Sequence, residues 1–357
     1  MLIGHGARLC DNLRVDTEHL DFLPELMTSN LYECDQAEIN ESRMDRSPRL
    51  IADIGGTNAR FRLVDESRPV STKVLRVSEF TESIALLKSA MKVLGCTEVT
   101  EIRIAVAGRV RDGCAALTNS ALVFDAEALS KALAGEPIII LQNDLQAAAL
   151  GLPYLKDGDS RPLGKNRNNP DATKPLALIS IGTGLGISGY FPSEGGNFAL
   201  ATEGGHATLP ATTDAELKII HALAERFGHV SGERVLSGSG LVVLYEVMTR
   251  ATAPNPADIV EGALKGDSIK IEVLKQYCGF IGSVAGNLAL TYGAWGGVFV
   301  GGGVPPRFAD FLERSPFRER FEAKGRFRSD LQDVPTRLIL RGDVALLGLA
   351  EAWHPNA

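Results

Sequence analysis

The segment IADIGGTNARFRLV, residues 51–64, decides how this chain folds. An apolar run meets a glycine pair at Gly55 and Gly56, and after Thr57 apolar and polar residues alternate. This pattern predicts two β-strands joined by a tight turn. Because glycine lacks a side chain, the backbone N–H groups of such a turn are open to an anion. The segment predicts a hairpin whose tip binds phosphate, with an ordinary glycine hairpin as the alternative.

Asp53 lies inside the apolar first strand of this hairpin. A buried carboxylate is costly unless it is paired or bound to a metal ion. Beside a phosphate-binding turn, Asp53 is placed to hold Mg²⁺ through water, since Mg²⁺ keeps much of its hydration. The alternative is a structural aspartate that accepts hydrogen bonds from the turn amides.

Two further glycine clusters follow apolar runs. In LALISIGTGLGISGYF (176–191) a strand again runs into a turn, Gly182-Thr183-Gly184, and an alternating strand leaves. The third cluster is GGVFVGGGVPPRF (296–308). No GxxxxGK[ST] motif is present, and the glycine cluster of neither hairpin opens a helix as a dinucleotide-binding GxGxxG motif does,. Two facing hairpins could hold a polyphosphate from both sides, so the three clusters together predict a nucleotide-binding cleft.

Polar residues at the ends of elements are candidates for a second substrate. Asn143 and Asp144 separate an apolar strand from an alanine-rich helix in PIIILQNDLQAAAL (137–150). The carboxyl end of a buried strand is a frequent place for chemistry in α/β folds, although a helix N-cap is the alternative. TEGGHATLP contains Glu203 and His206, and HVSGERVLSGSG contains Glu233. Spacing alone does not establish that these side chains converge.

Composition limits the class of protein. The chain has 357 residues, a net charge of −7 and a pI near 5.5, and no basic cluster indicates nucleic-acid binding,. No apolar run approaches the length of a transmembrane span,. Five scattered cysteines indicate reduced thiols in a cytoplasmic protein,. Residues 1–48 lack the pattern of a secretory or mitochondrial signal. We interpret them as an N-terminal extension, disordered or partly helical, without a catalytic role.

Beyond Arg49, strands and helices alternate, which predicts an α/β protein,. The predicted strands are 49–54, 59–64, 73–77, 101–107, 137–141, 176–181, 186–191, 297–301 and 336–340. Helices are predicted after Asp125, from a Thr213/Glu216 capping box to Gly228, across 267–292, and in VALLGLAEAW near the C-terminus,. Residues 156–174 are predicted to form a surface loop between two α/β halves.

Taken in order, these segments resemble the bacterial glucokinase family, within the hexokinase/actin/Hsp70-like ATPase superfamily. ADIGGTNARF and ISIGTGLGIS resemble its phosphate motifs, and GVFVGGGVPPRF its adenosine motif. QNDLQAAALGLPYL, EGGHATLP and HVSGERVLSGSGLVVLYE resemble its sugar-site segments, and ALLGLAEAW its closing helix. The resemblance extends from about Leu50 to the C-terminus. It implies a two-domain actin-like ATPase (ribonuclease H-like) fold with an interdomain cleft, in which 49–142 plus 342–357 form a small domain and 143–341 a large one.

The resemblance also implies roles for individual residues. Asp144 would be the general base that takes the proton from the sugar 6-hydroxyl in an ATP-dependent glucokinase that uses Mg²⁺ at Asp53. The implied sugar ligands are Asn143, Asp144, Glu203, His206 and Glu233. The implied nucleotide-binding residues are Ala52, Asp53, Ile54, Gly55, Gly56, Thr57, Gly182, Thr183 and Gly184 at the phosphates, and Gly302 and Gly303 near the adenosine.

One departure separates this chain from the related ROK kinases and repressors. In that group a zinc site with a cysteine cluster follows the EGGH-like segment, whereas residues 206–228 contain no cysteine. We therefore expect no zinc, and a sugar-binding role for His206. Residues 1–48 are acidic and lack a basic recognition helix, which counts against DNA binding. The resemblance further implies a homodimer in the cytoplasm that acts at the entry to glycolysis. A hexokinase preferring mannose or fructose, and a non-catalytic sugar-sensing regulator, are the alternatives.

Overall fold

The structure, a computed structural model, describes residues 48–65, 70–117 and 120–352. The predicted N-terminal extension lies outside these ranges apart from Pro48, and so do the last five residues. The predicted domain boundaries, near 142 and 342, stay a prediction.

The regular elements alternate along the chain, as the sequence predicted. The described strands are β1 (Arg49–Ile54), β2 (Asn58–Val64), β3 (Thr72–Arg76), β4 (Glu101–Val106), β5 (Val110–Arg111), β6 (Cys114–Ala116), β7 (Val123–Asp125), β8 (Ile138–Asn143), β9 (Ser160–Pro162), β10 (Leu176–Ile181), β11 (Leu185–Phe191), β12 (Phe198–Ala199), β13 (Gly297–Gly301) and β14 (Thr336–Ile339). The described helices are α1 (Ser83–Leu94), α2 (Ala126–Ala132), α3 (Asp144–Gly151), α4 (Asp214–Phe227), α5 (Gly238–Thr249), α6 (Pro256–Leu264), α7 (Ser268–Tyr292), α8 (Ala309–Arg314), α9 (Phe317–Glu322), α10 (Arg328–Asp333) and α11 (Val344–Glu351).

Two large sheets share one strand pattern. The first has the order β3-β2-β1-β4-β8, and the second β12-β11-β10-β13-β14-β9. In each, a central strand (β1 or β10) pairs antiparallel with the next strand and parallel with the strand on its other side. A third, small sheet has the order β5-β6-β7, and its strands lie between β4 and β8 in the sequence. The two glycine hairpins therefore occupy equivalent places in two similar sheets, and the α/β class is confirmed.

Helices α3 and α11 lie between the two large sheets. Ile51 of β1 packs in one buried cluster with Ala147 of α3 and Leu346 of α11. Leu178 of β10 packs in another cluster with Leu150 of α3. Because strand side chains alternate between faces, every second residue of β1 and of β10 faces these helices. The inner face of β1 is therefore the one that carries Ile51, and the inner face of β10 is the one that carries Leu178.

The two inner helices cross in backbone contact. A Cβ atom on Gly348 would lie 1.9 Å from the carbonyl oxygen of Ala147, and one on Gly151 would lie 2.5 Å from the carbonyl oxygen of Val344. Real Cβ atoms do not approach backbone this closely, so the crossing requires glycine at both positions.

The predicted helix starts are largely confirmed. The Thr213 hydroxyl accepts a hydrogen bond from the N–H of Glu216 at 3.2 Å, which caps α4. The reciprocal half of the predicted capping box is wrong, because the Glu216 carboxylate accepts from the N–H of Thr212 at 2.8 Å instead. The same carboxylate is buried and pairs with Arg320 at 2.7 Å. This ion pair links α4 to α9.

The predicted surface loop at 156–174 is only partly a loop. It contains β9, which pairs antiparallel with β14 and extends the second sheet. Arg337 of β14 donates a hydrogen bond from Nε to the Ser160 hydroxyl at 2.8 Å. The prediction was wrong here because a three-residue edge strand carries no periodic pattern of its own.

Of the helices in the described part of the chain, none combines the length and the apolar character needed to span a bilayer. Of the cysteines within the described ranges, Cys114 and Cys278 are free thiols.

Candidate active site

Two adjoining cavities lie at the carboxyl ends of β1, β8, β10 and β13. The hairpin cavity has a volume of about 520 Å³ and the loop cavity about 470 Å³. The hairpin cavity is lined by Gly56, Thr57, Ala107, Asp144, Leu145, Ser180, Gly182–Gly186 and Glu233. The loop cavity is lined by Asp53, Arg60, Asp144, Leu145, Ala148, Leu178, Ser180, Gly301–Gly303, Pro306, Ile339–Gly342, Val344 and Ala345. Three residues, Asp144, Leu145 and Ser180, line both cavities, so they mark the place where the two meet.

The tip of the first hairpin faces the hairpin cavity. Its turn is closed by a hydrogen bond from the N–H of Gly55 to the carbonyl oxygen of Asn58 at 3.0 Å. Gly56 and Thr57 are exposed at the tip. By contrast, Ala52 and Ile54 are fully buried. Among the residues predicted to bind phosphate, these two hold the strand in its sheet and line neither cavity.

The second hairpin faces the first across the hairpin cavity. Its tip is closed by a hydrogen bond from the N–H of Gly182 to the carbonyl oxygen of Gly184 at 2.9 Å. The carbonyl oxygen of Gly182 also accepts from the N–H of Gly238, at the start of α5, at 2.9 Å. The Glu233 carboxylate lies so close that a Cβ atom on Gly184 would be 2.4 Å from its Oε2. The start of α5 and the Glu233 carboxylate therefore both contact the predicted glycine tip and fix its position.

The third glycine cluster borders the loop cavity. Gly302 has a φ of 88°, and a Cβ atom there would lie 2.3 Å from the carbonyl oxygen of Ile181. Both observations require glycine. Gly303 next to it is exposed and lines the loop cavity. The loop after β13 thus rests on the end of β10 and forms the wall predicted to lie near an adenosine.

Asp53 points from β1 into the loop cavity. It is opposite Arg60 in the hairpin register, and their Oδ2 and Nη1 atoms are 3.3 Å apart. Burial raises the pKa of Asp53, and the Arg60 guanidinium partly offsets that rise. No amide of the described hairpin tip donates to this carboxylate. The predicted alternative, an aspartate tied to the turn amides, is therefore not what the structure has.

Asn143 and Asp144 have different roles at the start of α3. The Asn143 side chain caps the helix, with its Oδ1 accepting from the N–H groups of Leu145 at 3.0 Å and Gln146 at 3.2 Å. Its Nδ2 donates to the carbonyl oxygen of Gly108 at 3.2 Å. Asp144 lies in the first helical turn and lines both cavities. Asn143, predicted to bind sugar, lines neither of them.

The environment of Asp144 favours its protonated form. Burial, followed by the negative charge of Asp53, raises its pKa to about 6. A hydrogen bond from the N–H of Leu145 at 2.9 Å opposes that rise. A carboxyl group with a pKa near neutrality is well matched to accept and release a proton.

The other predicted sugar ligands are only partly gathered. Glu233 lines the hairpin cavity, and its N–H donates to the carbonyl oxygen of Gly205 at 2.9 Å. Glu203 and His206 flank Gly205, but their side chains are 80% and 59% exposed and line neither cavity. The structure therefore brings Glu233 and Asp144 to one cavity and leaves Glu203 and His206 on the adjacent surface.

Sequence reasoning missed several residues that line the cavities. Arg60, Arg341 and Ser180 were not singled out, although all three line the loop cavity. Arg341 is fixed by Asp343 at 2.6 Å and Asp159 at 3.2 Å. A signal for Ser180 was present, because it is the one polar residue of the apolar strand LALISI.

Comparison with known proteins identifies the family of this chain. A family model described as Glucokinase matches residues 50–356. The glucokinase of Nitrobacter hamburgensis is 40% identical over 313 residues, which cover 85% of this chain and 96% of that protein. The glucokinase of Chromobacterium violaceum is 41% identical over 314 residues, covering 85% and 88%. The crystal structure of a glucokinase from an Antarctic psychrotroph is 32% identical, with a TM-score of 0.78 over 85% of this chain and 98% of that one.

The paired sheets, the inner helices and a carboxyl group between two cavities define a sugar kinase with the actin-like ATPase fold. Within that class, the chain belongs to the glucokinase family.

Proposed function

We propose that this protein transfers the terminal phosphoryl group of ATP to the 6-hydroxyl of D-glucose, giving glucose 6-phosphate and ADP. The observation that carries the proposal is the position of Asp144 where the two cavities meet, with its pKa raised to about 6. A base at that point can remove the hydroxyl proton while the phosphoryl group arrives from the other cavity. Phosphoryl transfer needs mainly alignment, charge stabilisation and one such carboxylate.

The nucleotide would lie in the loop cavity, with its phosphates directed toward the hairpin tips at the place where the two cavities meet. The N–H groups of Gly56 and Thr57, and those of Thr183 and Gly184, suit phosphate oxygens, since clustered amides form an anion-binding surface. The N–H groups of Gly55 and Gly182 instead close the two turns. The adenosine would then lie beside Gly302 and Gly303, where the loop after β13 leaves space.

Asp53 fits the predicted Mg²⁺ site. Its carboxylate lines the loop cavity, and burial raises its pKa, so a nearby cation would stabilise the ionised form,. Among the described residues no three His, Cys, Asp or Glu side chains are grouped to hold a metal ion. Mg²⁺ does not need such a group, because it is commonly bound by one or two carboxylates, substrate phosphates and water. When bound, it would neutralise charge on the phosphates.

The sugar would occupy the hairpin cavity beside Asp144 and Glu233. A sugar hydroxyl is both a donor and an acceptor, so carboxylate oxygens suit it. Glu203 and His206 would join these ligands on closure of the cleft between the two domains that the sequence predicts. Asn143 would act mainly by positioning Asp144 through its cap of α3.

Two other functions remain as alternatives. A hexokinase preferring mannose or fructose would use the same machinery with a differently shaped cavity. A non-catalytic sugar sensor is disfavoured by the carboxylate and the two open hairpin tips. The test is a coupled assay of ADP formation with ATP and a panel of hexoses. Glucose turnover with a kcat/KM at least about tenfold above the other hexoses supports the proposal, and no turnover of any hexose contradicts it.

We further propose a cytoplasmic homodimer that acts at the entry to glycolysis, uses no zinc and binds no nucleic acid. The scattered cysteines support the cytoplasmic location,. The acidic net charge counts against nucleic-acid binding,. Metal analysis of the purified protein and sedimentation at micromolar concentration test the zinc and dimer proposals.

A further inference from the structure

Ser180 occupies in the second sheet the place that Asp53 occupies in the first. Each is the fifth residue of a six-residue central strand, β10 or β1, and each is followed by a buried isoleucine and a glycine turn. Both strands have the same burial at this point, with a half-buried fifth residue and a buried sixth. Because Leu178 shares the inner face of β10, Ser180 also points toward α3,. Ser180 is the one polar residue of β10 and lies two residues before the glycine turn.

The space around Ser180 is open on both sides within the sheet. Its register partners are Gly186 on β11 and Gly301 on β13, so neither neighbouring strand places a side chain beside it. Its hydroxyl makes no hydrogen bond to any residue that the structure describes. No buried side-chain polar atom in the described residues lacks a partner, so this unbonded hydroxyl is not buried. The hydroxyl is therefore directed to the cavities and is available to a ligand.

The position of Ser180 indicates which ligand atom it meets. Together with Asp144 and Leu145 it lines both cavities, at the place where they meet. In the proposed reaction this is where a phosphoryl group passes from donor to acceptor. A serine hydroxyl can donate one hydrogen bond, and hydrogen bonds to charged oxygens are the stronger kind.

We propose that Ser180 is a further catalytic residue, whose hydroxyl donates a hydrogen bond to a non-bridging oxygen of the transferred phosphoryl group. This inference rests on the proposed function. In the step, the sugar 6-oxygen loses its proton to Asp144 and forms the new bond to phosphorus. The bond from phosphorus to the bridging oxygen breaks, and its electron pair stays on ADP. Ser180 contacts the group that moves and keeps its own proton.

The first test compares nucleotide binding without sugar. Ser180→Ala should weaken binding of AMPPNP, a non-hydrolysable ATP analogue, roughly tenfold, the value of one hydrogen bond to a charged group. ADP lacks the transferred group, so its affinity should stay within about twofold. Calorimetric titration with both nucleotides measures the difference. Equal changes for AMPPNP and ADP, or no change for either, would overturn the proposal.

The second test measures glucose phosphorylation. Ser180→Ala should lower kcat roughly 10- to 100-fold, whereas Ser180→Thr keeps the hydroxyl and should stay within about threefold of wild type. Ser188→Ala is the matched control, because that buried hydroxyl on β11 donates to the carbonyl oxygen of Leu200 at 2.7 Å and lines neither cavity. It should lower the melting temperature and keep kcat.

The two proposals fail in different ways. An inactive wild-type protein would contradict the proposed function, while the nucleotide titrations would still test the contact of Ser180. An active wild-type protein with an unchanged kcat in Ser180→Ala would overturn only the role of Ser180. A loss of kcat in Ser188→Ala as large as in Ser180→Ala would also overturn it, since any lost hydroxyl would then suffice.

Discussion

Glu233 accepts a hydrogen bond on its Oε2 from the backbone N–H of Leu185 at 3.0 Å. Leu185 is the first residue of β11, directly after the second glycine tip. The same carboxylate lines the hairpin cavity in which we place the sugar. Glu233 therefore joins the proposed sugar site to a proposed phosphate-binding turn, and a change in its charge should affect both.

Substitution Glu233→Gln should mainly weaken glucose binding. The amide oxygen can still accept from Leu185, so the second hairpin should keep its geometry. The lost charge should raise the Kd for glucose roughly 10- to 100-fold, because hydrogen bonds to charged groups contribute about 1.5–3 kcal/mol. Calorimetric titration with glucose measures this. Unchanged glucose affinity in the folded variant would remove Glu233 from the sugar site.

Substitution Asp144→Asn should remove the proposed base. Asparagine keeps the size and the hydrogen-bonding capacity of the side chain but cannot accept a proton at neutral pH. The expected loss in kcat is roughly 10²- to 10⁴-fold, the usual contribution of a positioned acid–base group. The Kd for glucose should change far less, since the amide can still contact the 6-hydroxyl.

A purely structural role for Asp144 predicts a different result. Asn143 is the cap of α3, so Asp144→Asn leaves the cap in place. A melting curve serves as the control for folding. A folded Asp144→Asn variant that keeps more than about a tenth of the wild-type kcat would exclude Asp144 as the base.

The raised pKa of Asp144 also predicts how stability depends on pH. Its folded pKa is about 6 and its ordinary value is 3.8, so between these values the folded state binds more protons than the unfolded state. The free energy of unfolding should therefore fall as pH rises through this window, by up to about 3 kcal/mol for this group. Asp144→Asn should abolish that contribution and raise the stability at pH 7.5 relative to wild type.

Urea unfolding of both proteins at pH 4 and pH 7.5 measures this difference. The gain in stability of Asp144→Asn over wild type should be larger at pH 7.5 than at pH 4. An equal gain at both pH values would show that the surroundings of Asp144 do not raise its pKa. Wild-type activity should also decline below about pH 6, as the base becomes protonated.

The helix crossing at Gly348 can be tested through stability alone. In Gly348→Ala the new methyl group would meet the carbonyl oxygen of Ala147, so α3 and α11 must separate. We expect a loss of about 1–3 kcal/mol in the free energy of unfolding, typical of overpacking. Gly195→Ala is the matched control, because a Cβ atom there has no neighbour within 4 Å. Equal stability of the two variants in urea would contradict the close crossing.

Much of the fold could be predicted from local pattern. The strands at 49–54, 176–181 and 297–301 have the predicted bounds, because each is an apolar run that ends at a glycine turn. β9 could not be predicted in this way, since its three residues become a strand only through pairing with β14. The role of Glu216 was also missed in part, because its partner Arg320 is distant in sequence and reaches it only in the packed core.

The candidate site shows the same division. Asp144 was singled out by residue type and position, whereas Glu233 was implied as a sugar ligand by the family resemblance, and both line the hairpin cavity. The separation of roles between Asn143 and Asp144 depends on the exact first residue of α3, which a sequence pattern does not fix. Ser180 was missed because a single serine in a strand is weak evidence until the sheet shows that it matches Asp53.

The exposed positions of Glu203 and His206 lead to a prediction about motion. Both are implied sugar ligands, yet their side chains are 80% and 59% exposed. If they bind glucose together with Asp144, the sugar must draw the walls of the cleft closer, as ligands between domains commonly do. Small-angle scattering should therefore give a smaller radius of gyration with saturating glucose than without it. Glycerol at the same concentration controls for solvent effects, and Glu233→Gln should need more glucose for the same change. Identical scattering with and without glucose, at a concentration that titration shows to be saturating, would contradict closure.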